Sequence, residues 1–186
     1  MRGHEYIREA VRTYLEASVP AYLAAHLAEI GMDAPDPLAV AFVLADGLQE
    51  VTAFPVVVVR STDASDDQRT GDGVFLVAYQ LEVIAAVDHR VHGDYEGASV
   101  QRDRLLLAVR EAIYSAAGLT NDIDISPAKR VEQTGAAVET RAGVPLAAGT
   151  VAFTARVLES LTVLSSPLDI DAADVSVPAR AASQSF

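Results

Sequence analysis

Two stretches of this chain alternate apolar and polar side chains for unusually long runs. From 74 to 87, Phe75, Val77, Tyr79, Leu81, Val83, Ala85 and Val87 share one face, while Gln80 and Glu82 take the other. A period of two is the mark of a strand with one buried side. From 150 to 164, Val151, Phe153, Ala155, Val157, Leu161 and Val163 alternate with Thr154, Arg156, Ser160 and Thr162, predicting a second long, half-buried strand. Four consecutive valines in "FPVVVVR" predict a shorter strand, because β-branched side chains are stiff and suit a pleated surface. Pro55 places the start of that strand at an edge or near a strand end. Val131 to Thr140 is a weaker strand candidate, interrupted by Gly135, and the apolar run from residue 38 fits either element.

Helical spacing governs the rest. In residues 4 to 18, Ile7, Val11, Tyr14, Leu15 and Ser18 line one side and Arg8, Glu9, Arg12 and Glu16 the other, predicting an amphipathic helix. Pro20 is expected to end or kink it, with Ser18 capping a second helix that carries Leu23, Leu27 and Ile30 to Gly31. A further helix is expected from about Ala98 to Ala117, through Leu105, Val109, Ala112, Ile113 and Ala116, with Gly118 as its stop. "GMDAPDP" is a turn cluster, and "STDASDDQRTGDG", residues 61 to 73, is expected to be a long, mobile acidic loop.

Helices first, then strands, a central helix and two more strands predict an α+β fold. Its antiparallel or mixed sheet is expected to be covered mainly on one side by helices. Residues 1–164 are expected to form one domain, and 165–186, rich in Pro, Ser and Asp, an extended C-terminal arm that needs a neighbour to pin it.

Charge and composition narrow the function. A net charge of -12 over 186 residues disfavours a surface that grips phosphates, since nucleic-acid binding uses clustered Lys and Arg. Lys129 is the single lysine, with no glycine-rich approach, so no phosphate loop is built around it. The absence of cysteine removes disulfides, Cys-ligated metals and cysteine nucleophiles. No run reaches the roughly 20 apolar residues of a membrane span. The opening "MRGHEYIREAVRTYLE" lacks the apolar core of a signal peptide, so a cytoplasmic origin is expected.

The densest chemistry lies in "AAVDHRVHGDYEGASVQRDRL", where Asp88, His89, His92, Asp94 and Glu96 fall within nine positions. A small metal-dependent hydrolase would gather such ligands around one ion. However, His pairs spaced by three or four converge readily only on a helix, and Gly93 and Gly97 are expected to break one here. A solvated strand-to-helix connection, with carboxylates favoured near the helix start, accounts for the same residues. His26 is expected on the apolar side of its helix, satisfied by a backbone carbonyl, and His4 carries no spacing signal. No nucleophile elbow is present. Catalytic, cofactor and metal residues are therefore all expected to be absent.

The order of elements resembles one family. An N-terminal helix, "FPVVVVR", "GVFLVAYQLEVIAAV", the link "DHRVHGDYEGASVQRDR", the helix "LLLAVREAIYSAAG" and the strand "TVAFTARVLESLTV" together are similar to the tail-terminator, or tail-completion, proteins of long-tailed bacteriophages, over roughly residues 3–164. The resemblance implies a non-enzymatic virion protein, assembled in the host cytoplasm. It implies a homohexameric ring that ends tail-tube polymerisation, contacts the major tail tube protein and the head–tail connector, and lets genomic DNA pass its bore unbound. Other phage neck or minor tail proteins share the pattern. A cytoplasmic ligand-binding or adaptor domain is the remaining alternative.

Overall fold

The computed structural model describes residues 3–29, 40–71, 73–92, 95–116, 123–124, 132–141 and 144–160. The first helix, α1 (Gly3–Glu29), is continuous for 27 residues, so the expected break at Ser18–Pro20 does not occur. Pro20 lies inside α1, where a missing N–H and a crowded ring cost about 3 kcal/mol. Its ring is exposed, and Ile7, Val11, Leu15 and Val19 are buried at spacings of four, with Tyr22 and Leu23 extending the contact beyond the proline. Each fully buried side chain of this size contributes about 1.5–3 kcal/mol, so packing on both sides of Pro20 outweighs the defect.

The ambiguous run resolves as a short strand, β1 (Ala41–Leu44), followed by a 3₁₀ turn at Leu48–Glu50. β1 pairs in parallel with β2 (Val56–Gly71), and β2 pairs antiparallel with β3 (Val74–Asp88). The acidic stretch expected as a loop is therefore strand up to residue 71. Gly71 pairs with Val74, and Gly73 before that strand takes φ +75°. Asp-Gly between two strands is a strong two-residue hairpin signal, because the turn needs positive φ. Register shifts at Ser61/Asp63, Asp66/Gln68 and Arg69/Gly71 accommodate the polar sequence as bulges.

After β3 comes a single helical turn, α2 (His89–His92), and then α3 (Tyr95–Ser115). α3 begins before Ala98 and runs through Gly97, so that glycine does not break the helix, and Gly118 lies outside the described residues. The remaining strands are β4 (Ile123–Asp124), β5 (Glu132–Arg141) and β6 (Val144–Ser160). β5 pairs with β6 with a shift between Thr134 and Ala137, at the expected interruption by Gly135. β6 starts at Val144 rather than 150. Within "VPLAAG" the strand turns Ala147 and Gly149 toward α3, and a Cβ built on Gly149 would stand 2.5 Å from Leu106 Cδ1.

The fold is α+β, with a mixed sheet ordered β1-β2-β3-β6 and both β4 and β5 pairing with the far side of β6. The sheet is not closed. One face carries Val57, Val59, Val77, Tyr79, Leu81, Val83, Val151, Phe153, Ala155 and Val157 into a core shared with α1 and α3. The Tyr14 hydroxyl ties the two helices by donating to the Ala112 carbonyl at 2.9 Å. On the other face, Val56, Val58, Ile84, Ala86, Leu146 and Ala148 pack under Ala45, Leu48 and Val51. Among the described residues that second cover stops short of the hairpin end, where Gln80 and Leu158 are exposed. No described helix is long and apolar enough to cross a membrane. The expected arm, 165–186, lies outside the described residues.

Candidate functional site

The chemistry singled out in the sequence sits where β3 passes into α2. Asp88 is buried, and its Oδ1 accepts the Arg90 backbone N–H at 2.9 Å, capping the turn of α2. Oδ2 accepts from Arg90 Nη2 at 2.6 Å and Nε at 3.0 Å, while His89 Nδ1 stands 3.5 Å from Oδ1. The Arg90 side chain that covers this carboxylate is itself 65% exposed, so Asp88 is shielded by one surface guanidinium rather than by the protein interior. Hydrogen bonds from Arg90 hold the Asp88 carboxyl below the usual aspartate range, and the carboxylate in turn raises Arg90.

The negative charge of Asp88 is thus matched by an arginine and a helix start. Glu96 is exposed in the first turn of α3, where the helix dipole favours an anion. The His92 side chain and Asp94 lie outside the described residues. No cluster of three or more His, Asp or Glu placed to hold a metal ion occurs among the described residues.

A second polar group was not legible as a site. Glu159 continues the parity of Val151, Phe153, Ala155 and Val157, which directs it into the helix-covered face, and it is only 2% exposed. Its Oε1 accepts a short hydrogen bond from the Tyr79 hydroxyl and one from the Gly3 N–H at 3.2 Å. The carboxylate therefore closes the N-terminus of α1 against β6. His4 lies edge-on to the Tyr79 ring with centroids 5.0 Å apart, and its Nδ1 is 2.7 Å from Ser61 Oγ. Ser61 Oγ also donates to the Gln80 carbonyl at 3.2 Å. The signal available in the sequence was a lone charge on an otherwise apolar strand face.

His26 is on the apolar side of α1 as expected, but its partner is a side chain rather than a backbone carbonyl. Nε2 stands 3.0 Å from Glu111 Oε2 on α3, close enough for an ion pair without hydrogen-bond alignment.

The remaining surface is suited to contact. β1 pairs only with Val56–Val59, so among the described residues the outer edge of β2 from residue 60 to 71 has no strand partner. Bulges and acidic residues along such an edge discourage indiscriminate pairing while leaving backbone groups available to a specific one. Beside it, Arg60 donates to Glu82 at 2.7 Å and to the Asp46 carbonyl at 3.1 Å, and Thr154 donates to Gln80 at 2.9 Å. Leu158, 44% exposed, lies opposite Leu76 at the hairpin end of this face, which carries no cover among the described residues. No protein-family model matches the chain, and no curated protein matches it in sequence.

Proposed function

We propose that this chain is a structural virion protein of the tail-terminator kind, capping a phage tail tube as a ring and offering the interface to the head–tail connector. The observation that carries the reading is the order of elements. A leading helix, a long hairpin, a polar link, a second helix and a closing strand make one open sheet with helices on one face. In this reading the partners are other copies of the chain, the major tail tube protein and the connector. A ring closes when head-to-tail contacts return to their start, and closure stops growth where an open helix would continue. The protein acts in the virion neck, and its charge of -12 lets genomic DNA pass without the counterion-release binding that would brake it.

The test is mass measurement and electron microscopy of the protein alone and with assembled tail tubes. Rings of six times the 19.6 kDa chain mass, seated at one tube end, are expected. A chain that stays monomeric at high concentration and leaves tube length unchanged overturns the reading.

A further inference from the structure

Asp46 and Gly47 form a bend between β1 and the 3₁₀ turn, outside any regular element. The Asp46 side chain is 84% exposed, and its Oδ1 stands 3.4 Å from Arg8 Nη1, so water reaches most of the carboxylate. Among the described residues the Gly47 N–H has no hydrogen-bond partner. We propose that this dipeptide is a site of spontaneous covalent modification, where Asp46 isomerises to isoaspartate as the protein ages and thereby loosens the second cover of the sheet. The inference stands apart from the tail-terminator reading.

The chemistry needs no reagent beyond water. The Gly47 backbone nitrogen attacks Cγ of the Asp46 carboxyl in its acid form, the N–H proton is lost, and the carboxyl hydroxyl leaves as water, closing a five-membered imide. Gly47 suits this step because it has no side chain to hinder its nitrogen, and a Cβ built on it would meet nothing within 4 Å. Water then opens the ring. Attack at the carbonyl next to Cα leaves the chain running through Cβ and Cγ, with the α-carboxylate free and the atom count restored. Arg60 Nη1 already donates to that Asp46 carbonyl at 3.1 Å. It polarises the carbonyl toward water and gains a charged partner in the product.

The product adds one backbone atom between Ala45 and Leu48. Both are buried, and both pack with Val51, Val56 and Ile84 in the core of the second face. A longer connection cannot hold both side chains in their present places, because close-packed interiors do not absorb such a shift. The Arg8 contact goes as well, since its carboxylate becomes part of the main chain.

The test keeps full-length protein at 37 °C and neutral pH, then measures isoaspartate at residue 46 by peptide mapping with electron-based fragmentation. Conversion is expected within about fivefold of the rate in the free peptide 43–51, and at least about tenfold slower in Gly47→Ala, whose methyl has room. Aged wild type is expected to unfold at lower urea than fresh protein, while aged Gly47→Ala keeps its midpoint. Both proteins carry Asp72-Gly73, so the difference belongs to residue 46. Slower conversion in the folded protein, equal conversion in Gly47→Ala, or a midpoint that ageing leaves unchanged overturns the proposal.

Discussion

Gly149 occupies a point where α3 comes too close to β6 for a side chain. The position of its missing Cβ lies 2.5 Å from Leu106 Cδ1, and Leu106 is itself 1% exposed, so its methyl has nowhere to retreat. Gly149→Ala is expected to cost about 1–3 kcal/mol by overpacking. Urea unfolding should show a lower midpoint with an unchanged slope, and the penalty should shrink in a Leu106→Ala background; a neutral result would mean the helix is free to lift. Asp88 offers a second residue-scale test. Asp88→Ala should cost about 1 kcal/mol through loss of a helix cap, with little added for the exposed arginine pair. Because the folded carboxyl titrates below its unfolded value of about 3.9, its contribution is present above that pH and lost as pH falls through the lower folded value. The difference in stability between wild type and Asp88→Asn is thus expected to narrow from pH 6 to pH 2; a gap constant across that range would refute the assignment.

At the scale of elements, α1 shows how packing overrides a local signal. Pro20→Ala restores a hydrogen bond to the Glu16 carbonyl and is expected to stabilise the protein by up to about 3 kcal/mol, read as a raised Tm. A fall in Tm would indicate that the proline shapes a bend the core requires. The same competition explains which elements were legible. β3 and β6 announced themselves through Val77 to Val87 and Val151 to Val157, where one face is continuously apolar. The outer half of β2 did not, because Asp63, Ser65 and Asp66 have poor strand propensity and are held by pairing with β3, a non-local cause. Asp72-Gly73 carried the turn signal, but it was swamped by the acidic run around it. Glu159 was missed for the opposite reason: its parity was visible, while its partners, Tyr79 and Gly3, are 80 and 156 positions away. Gly97 was expected to break a helix, whereas α3 runs through it from Tyr95, and the second long strand was expected from 150, whereas β6 begins at Val144.

For the whole molecule, the charge of -12 sets a direction for assembly. In the proposed ring, neighbouring copies would repel unless salt intervenes, and the Debye length falls from about 10 Å at 0.1 M ionic strength to about 3 Å at 1 M. Contacts made by a sheet edge and apolar residues such as Leu158 are not weakened by that screening, whereas the repulsion is. Self-association followed by sedimentation is therefore expected to strengthen at least about tenfold between 0.05 M and 0.5 M salt. A nucleic-acid binder behaves in the opposite way, since each phosphate contact loses affinity as salt rises. If association instead weakens steeply with salt, opposite charges dominate the interface, and the acidic edge of β2 would have to meet a basic partner rather than another copy of this chain.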